Sequence, residues 1–232
     1  MKLSHIQMKV KNLEEVINDY RKLGFEVNYG RKPSVATNAF IWFGQDVFIE
    51  LFSMSSSVEK MKSILGLFYG KEMKARWEKW SNPKEGLLDF ALEGEDEKTA
   101  AIDYLPVLRK EFMEKGVKMS KILNGSRKPP EGEKTRYGFC APGIKGLPFL
   151  TSTYTIPQKP LASHHPNGSQ SIKYLTVMCK KEDEKAMRTL IGKDKKIKLI
   201  LGNETKPYSI CIEGFEKPQN EKLLHGMRIE YE

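Results

Sequence analysis

The sequence predicts an α+β fold in which three βαβββ units follow one another. Residues 4–10 alternate between apolar and polar side chains, and an amphipathic helix follows directly. The same order of elements starts again near Asp89 and near Ile172, at nearly equal intervals along the chain. Hydrophobic residues make up 39% and aromatic residues 10% of the sequence, which is enough for a packed core.

The first unit begins with a strand whose two faces differ. Its apolar side chains point to one face and its polar side chains to the other: Ile6, Met8 and Val10 against His5, Gln7 and Lys9. A helix then starts at Asn12, where Glu15 completes a capping-box pattern, and ends at Gly24. Strands are predicted over residues 25–29, 37–43 and 46–52.

The second unit follows a helical insertion near residues 55–82, which we expect to form one or two surface helices. Residues 1–156 therefore form a domain of two units. The second helix should break or kink at Pro106, and strands are predicted near residues 117–123, 135–140 and 147–154. A proline-rich connector at residues 157–170 carries His164 and His165, for which a structural role is the simpler interpretation. Residues 171–232 form the third unit.

Composition excludes several classes of protein. The net charge of +9 comes from lysines that are scattered and mixed with acids, a pattern typical of a solvated surface and unfavourable to a nucleic-acid partner. No apolar stretch is long enough to cross a bilayer, and the chain starts directly with a strand instead of a signal peptide. The three cysteines are widely spaced and unpaired in pattern. Together these features predict a cytoplasmic protein.

Two polar residues stand out in the first unit. Glu50 is the only charged residue in the apolar strand around Phe48 and Phe52, and a buried carboxylate needs a cation, a metal or hydrogen-bond donors. His5 lies on the strand face opposite the residues that pack on the helix. If the helix covers one face of the sheet, His5 and Glu50 project together into a concavity on the other. Imidazole and carboxylate suit a divalent ion such as Mn, Fe, Ni or Zn.

With these elements the sequence resembles the vicinal-oxygen-chelate superfamily, and within it the glyoxalase-like proteins. Six pieces carry the resemblance, in order: His5-Ile6-Gln7-Met8-Lys9-Val10, Leu23-Gly24-Phe25, Ala36-Thr37-Asn38-Ala39, Phe48-Ile49-Glu50-Leu51, Leu147-Pro148-Phe149-Leu150 and His165-Pro166-Asn167-Gly168. The resemblance implies that two units pair into one cup-shaped mixed sheet with helices outside. It also implies metal ligands from the first and fourth strands of both units.

Carried over to this chain, the resemblance implies specific site residues. His5 and Glu50 match the ligand positions of the first unit, while the second unit offers Asp89 and Thr151. The predicted metal ligands are therefore His5, Glu50 and Asp89, with Glu50 also as the catalytic carboxylate. The residues predicted to bind the substrate are Asn38, Thr151 and Arg136, the last as a clamp for an anionic group.

Two functions follow from the resemblance, and the sequence leaves both open. One is a metal-dependent lyase or isomerase that acts on a small carbonyl compound with vicinal oxygens. The other is a metal-free protein that binds or sequesters a small anionic or aromatic compound in the same cup, which the incomplete ligand set and the positive charge favour. A homodimer is a further expectation, because an unpaired third unit would leave a sheet face or edge to cover.

Overall fold

Two sheets form the framework of the protein. The computed structural model describes residues 1–54 and 61–231. One sheet has eight strands and the other has four. The helices and strands of the larger sheet's first half are β1 (Lys2–Lys9), α1 (Leu13–Lys22), β2 (Asn28–Tyr29), β3 (Asn38–Ile41) and β4 (Phe48–Phe52).

The remaining elements follow the order that the sequence predicts. The insertion forms α2 (Lys62–Tyr69) and α3 (Lys71–Trp80), and its residues 55–60 lie outside the described residues. The second unit consists of β5 (Gly86–Glu93), α4 (Glu97–Ala100), α5 (Leu105–Glu114), β6 (Leu123–Arg127), β7 (Thr135–Cys140) and β8 (Phe149–Thr151). The third consists of β9 (Ser171–Cys179), α6 (Glu184–Ile191), β10 (Ile197–Leu201), β11 (Lys206–Glu213) and β12 (Ile229–Glu230).

The predicted pairing of two units into one curled mixed sheet is confirmed. The eight-stranded sheet has the order β2-β3-β4-β1-β5-β8-β7-β6, and the four-stranded sheet has the order β10-β9-β11-β12. Strand β1 runs parallel to β4, and β5 runs parallel to β8. The two units meet where β1 and β5 pair antiparallel, with Ile6 opposite Phe90. Because an antiparallel pair has local twofold symmetry, the residues before and after Ile6 in β1 correspond to those before and after Phe90 in β5. His5 therefore corresponds to Asp89, and Gln7 to Ala91.

Local sequence signals explain where α1 and α5 begin and end. Asn12 Oδ1 accepts a hydrogen bond from the Glu15 N–H at 3.3 Å, one of the two bonds of the predicted capping box. Gly24 follows α1 with φ of +80°, where the connector residue Asn167 packs too closely for a Cβ. The second helical stretch is broken before Pro106, as predicted. Pro106 then lies in the first turn of α5, where the backbone N–H that proline lacks would have no partner within the helix.

Helices cover both faces of the large sheet. Helices α1 and α5 pack on its outer face, as predicted, whereas α3 packs on the inner face. The expectation that the insertion forms only surface helices is therefore wrong for α3, because Met73, Arg76 and Trp80 are buried. The indole of Trp80 contacts the rings of Phe139 and Phe149 on the inner face of the sheet.

Strand β6 starts later than predicted. The sequence predicts a strand near residues 117–123, a segment that contains the apolar side chains Val117, Met119 and Ile122. Met119 makes only an isolated bridge to Pro142, and the paired strand begins at Leu123. The strand passes through Asn124 and Gly125, residues that are rare in strands, so propensity alone gave no sign of it.

The third unit packs behind the cup, against α1. Its elements follow the predicted order, but β9 pairs in parallel with β10, immediately after the helix, and not with its fourth strand. The Tyr20 hydroxyl of α1 donates a hydrogen bond to the Leu224 carbonyl at 3.2 Å. Ile172, Leu175 and Val177 of β9 join the same hydrophobic core as the outer face of the large sheet. Within the described ranges, no helix has the length and apolar character that a membrane crossing requires.

Candidate functional site

The concave face of the large sheet encloses a pocket of about 780 Å³, a volume typical of small-molecule sites. Strands of both units and helix α3 supply its walls. These walls combine polar side chains with eight aromatic rings among the described residues: Phe48, Phe52, Trp77, Trp80, Tyr137, Phe139, Phe149 and Tyr154. No residue of the third unit lines the pocket in the part of the chain that the structure describes. The pocket therefore belongs to the first two units, the insertion and the first residues of the connector, Pro157, Gln158 and Lys159.

The structure brings His5 and Glu50 together in this pocket. The parallel register of β1 and β4 places Gln7 beside Glu50 and His5 beside Phe48. His5 Nε2 lies 3.7 Å from Glu50 Oε2, and the imidazole stacks on the Phe48 ring with centroids 4.7 Å apart. The two side chains project into a shared concavity, as the alternating pattern of β1 and the isolated charge of β4 indicated.

Two amides hold the Glu50 carboxylate. Asn38 Nδ2 donates to Oε1 at 2.7 Å, and Gln7 Nε2 donates to Oε2 at 2.9 Å. The carboxylate therefore has neutral donors, and no lysine or arginine of the described residues forms an ion pair with it. The Gln7 Oε1 atom is buried without a hydrogen-bond partner in the described part of the chain. Asn38, predicted to bind substrate, lines the pocket and orients Glu50.

Burial lowers the pKa of His5 below its ordinary value, and the nearby acids Glu50 and Glu93 offset only part of this effect. The imidazole is therefore neutral at pH 7. The Ser4 hydroxyl donates to Glu93 Oε2 at 2.7 Å and lies 3.3 Å from His5 Nδ1. Because a hydroxyl has one hydrogen, Ser4 accepts from Nδ1–H. Nε2 then carries a lone pair, so two acceptors, Nε2 and Glu50 Oε2, face each other.

Asp89 does not face the pocket, which corrects its prediction as a metal ligand. Arg76 donates to Oδ2 at 2.5 Å and Lys79 to Oδ1 at 2.9 Å. The Trp80 indole donates to Oδ2 at 2.7 Å. Burial alone would raise the pKa of Asp89, but the two cations outweigh burial and lower it. Both carboxylate oxygens of Asp89 therefore accept hydrogen bonds from helix α3. The inserted helix supplies the cations that a buried aspartate requires.

The counterpart of Glu50 in the second unit is Phe149, not Thr151. Gln7 pairs with Glu50 in the first unit, and its counterpart Ala91 pairs with Phe149 in the second. Phe149 contacts the edge of the His5 ring, at a centroid distance of 5.5 Å. Thr151 lines the pocket, but its hydroxyl lies within hydrogen-bond distance of the carbonyls of Gly138 and Ser152 and donates its one hydrogen to either of them. The fourth ligand position is therefore apolar.

Arg136 lies on the wrong face of β7 to act as the predicted clamp. It is exposed, whereas its neighbours Thr135 and Tyr137 point inward. A different arginine, Arg127 of β6, pairs with Thr135 and lines the pocket. Sequence analysis missed Arg127 because the Gly-Ser stretch before it gave no strand pattern that would assign its face.

The donor set does not complete a metal site of the kind that the resemblance implies. His5 Nε2 and Glu50 Oε2 are spaced much like two ligands of one ion, about 3.4 Å apart at tetrahedral angles. Protein sites of such ions use three or more protein ligands. Among the described residues, no group of three or more His, Cys, Asp or Glu side chains could hold an ion. At the third ligand position that the resemblance implies, Asp89 is paired with Arg76 and Lys79. The fourth position is occupied by Phe149.

Other polar candidates have structural roles. His165 accepts from the Glu26 N–H at 3.0 Å through Nδ1 and donates to the Trp42 carbonyl at 3.0 Å through Nε2. It therefore ties the connector to the first unit. Cys140 is buried, and burial raises the pKa of its thiol to about 12, so it is not a thiolate nucleophile at neutral pH.

Comparisons with known proteins agree with this architecture. The chain is similar to a hypothetical protein from Staphylococcus aureus, with a TM-score of 0.67 and 14% identity over 100% of this chain and 98% of that one. It is also similar to the 2,3-dioxygenase LapB from Pseudomonas sp. KL28, with a TM-score of 0.52 and 12% identity over 91% of this chain and 74% of that one.

A third similar structure is the Mn(II)-bound glyoxalase from Novosphingobium aromaticivorans, with a TM-score of 0.54 and 11% identity over 91% of this chain and 64% of that one. At these identities the likeness concerns the fold alone. No curated protein matches the sequence. A family model described as a glyoxalase-like domain matches residues 3–190, from β1 into α6. The chain therefore belongs to the glyoxalase-like domain family, within the vicinal-oxygen-chelate fold.

Proposed function

We propose that the protein binds a small aromatic compound in the pocket without a metal ion, through a hydrogen-bond donor on that compound. The observation that carries this proposal is the pair of acceptors, His5 Nε2 and Glu50 Oε2, 3.7 Å apart at the wall of an aromatic pocket. Two acceptors repel each other unless a donor lies between them. A hydroxyl or amino group of a ligand supplies that donor.

The walls favour a planar, apolar ligand body. Trp77, Trp80 and Phe149 enclose one side of the pocket, and Tyr137 and Tyr154 lie edge to face with centroids 5.6 Å apart. Aromatic side chains contribute large contact areas and prefer offset or edge-to-face contacts with other rings. A compound of one or two rings has the shape and polarity that these walls select.

The metal-dependent reaction implied by the resemblance has less support in this chain. His5 and Glu50 supply two donors, but Asp89 is paired with Arg76 and Lys79, and Phe149 occupies the remaining position. For this reason we favour the metal-free alternative. The test is elemental analysis of protein purified without chelators. Stoichiometric Mn, Fe, Ni or Zn, together with turnover that depends on the metal, would reverse this preference.

The proposal is tested by calorimetric titration with 2-naphthol, which has a hydroxyl donor, and 2-methoxynaphthalene, which lacks it. We expect 2-naphthol to bind more tightly, on the order of 10- to 100-fold, because a hydrogen bond to a charged acceptor contributes roughly 1.5–3 kcal/mol. The difference should disappear in Glu50→Gln. It should persist in Glu131→Gln, which makes the same charge change at an exposed residue outside the pocket.

A chelator arm completes the test. Binding of 2-naphthol should be the same before and after dialysis against EDTA. Failure of both naphthalenes to bind, or loss of binding after dialysis that added metal restores, would contradict the proposal.

A further inference from the structure

We infer that the ligand also carries an anionic group, such as a carboxylate, which pairs with Arg127. This inference rests on the proposed function and narrows its ligand class to aromatic anions. Arg127 ends strand β6, lines the pocket and is only 5% exposed. A guanidinium stays charged at every physiological pH, so its burial requires compensation.

The chain itself supplies little of that compensation. Arg127 makes two long hydrogen bonds to neutral acceptors, at 3.4 Å to the Gly30 carbonyl and 3.3 Å to Gln158 Oε1. Its Nε is buried without a partner among the described residues. No carboxylate of the described chain forms an ion pair with it within 4.0 Å. The rings of Phe40 and Tyr154 lie 4.4 and 4.8 Å from the guanidinium and provide only cation–π attraction.

A second buried arginine shows what compensation looks like in this protein. Arg76, on the inner face of the same sheet, pairs with Asp89 at 2.5 Å and donates to the Leu147 carbonyl at 2.6 Å. Its Nε also lacks a partner among the described residues, so the two arginines differ in the ion pair and not at Nε. Arg76 does not line the pocket, whereas Arg127 does. Of these two buried arginines, Arg127 has no acid partner, and it is also the one that a ligand in the pocket can reach. A planar fork of donors suits a carboxylate in particular.

The position of Arg127 relative to Glu50 sets the form of the ligand. Phe40 lies directly across from Glu50 in the β3–β4 register, and the Arg127 guanidinium lies over the Phe40 ring. The two charged groups therefore border one region of the pocket without meeting. A ligand with a donor for Glu50 and a separate anionic group for Arg127 satisfies both. The other lysine and arginine side chains that line the described pocket are Lys2 and Lys159, and both are paired with Glu93, at 3.5 and 3.9 Å.

The inference is tested with 6-hydroxy-2-naphthoate, which carries both groups, and its methyl ester, which keeps the hydroxyl but is neutral. In the wild-type protein we expect calorimetric titration to give at least tenfold tighter binding of the acid. In Arg127→Met, which keeps the packed stem and removes the charge, binding of the acid should weaken 10- to 100-fold, on the order expected for a charged hydrogen bond. Binding of the ester should change less than about threefold.

Two further variants sharpen the result. Arg136→Gln removes an arginine from the exposed face of the neighbouring strand and should leave both affinities unchanged. Arg127→Lys keeps the charge and should bind the acid with intermediate affinity, because an ammonium cannot form a two-bond fork. A probe with a phosphate in place of the carboxylate, 6-hydroxy-2-naphthyl phosphate, tells which anion fits; binding of either supports an anionic ligand.

Equal binding of acid and ester by the wild-type protein would overturn the inference, and this comparison needs no variant to fold. Equal losses of acid and ester affinity in a folded Arg127→Met protein would also overturn it, since the residue would then only shape the wall. In either case binding of 2-naphthol would leave the proposed function intact. If neither 2-naphthol nor the hydroxynaphthoates bind, the proposed function and the inference are both contradicted.

Discussion

In the first half of the cup His5 and Glu50 face the pocket, whereas in the second half helix α3 covers Asp89 and the equivalent of Glu50 is the apolar ring of Phe149. The framework strands are the same in both halves. The difference comes from the insertion, whose Arg76 neutralises Asp89 inside the protein. An inserted helix can therefore convert one half of a symmetric ligand site into a structural ion pair and leave the other half open to a ligand.

The largest expected effect comes from breaking that ion pair. Asp89→Ala leaves the buried Arg76 without an acid and Lys79 without its partner, which should lower the free energy of unfolding by about 3–5 kcal/mol. Chemical denaturation measures the change. Glu114→Ala, which removes an exposed ion pair with Lys110, is the matched control and should cost less than about 1 kcal/mol. Similar losses in both variants would show that helix α3 does not depend on Asp89.

A smaller effect should appear in the pH dependence of the covered half. Burial lowers the pKa of Lys79 from 10.5 to about 8, although Asp89 attracts its charge. Between these values the unfolded chain binds a proton that the folded protein lacks, so stability rises with pH. The free energy of unfolding of the wild type should therefore increase relative to Lys79→Met from pH 8 to 10.5. A difference that stays constant with pH would contradict a depressed pKa.

The open half should respond in a different pH window, and by less. Burial lowers the pKa of His5 from 6.5, so the unfolded chain gains a proton first as the pH falls. Stability should be full above pH 6.5 and decline below it in the wild type, relative to His5→Gln. Thermal unfolding at pH 7.5 and 5 measures this difference. His164→Gln, which changes an exposed histidine and keeps His5, should show the same decline as the wild type. A wild type that gains stability on acidification would contradict the assignment.

Patterns within one strand were sufficient to predict the first half of the site. Alternation in β1 assigned the face of His5, and the single charge in β4 marked Glu50. Both signals depend only on residues close together in sequence, as do the capping of α1 by Asn12 and the restart of the helix at Pro106. The repeated pattern likewise indicated the pairing of two units.

The second half depended on contacts that no local pattern contains. Asp89 has a ligand-like position, and only the tertiary packing of α3 shows that Arg76 and Lys79 occupy its oxygens. Thr151 was chosen in place of Phe149 because sequence spacing cannot fix the register of so short a strand as β8. Arg136 lies on the exposed face of β7, and Arg127 follows Gly-Ser residues that give no strand pattern, so the sequence could not assign the arginine of the pocket.

Helix α3 also gives the cavity a direction. A cup with two equivalent halves would hold a compound equally well in either of two orientations related by its pseudo-twofold axis. With Trp80 and Phe149 on one side and Glu50 and Arg127 on the other, the two orientations are no longer equivalent. For the aromatic ligand proposed above, we therefore expect one binding orientation, with the hydrocarbon end of the ligand beneath the inserted helix. We also expect the protein to discriminate between positional isomers of the same ring system.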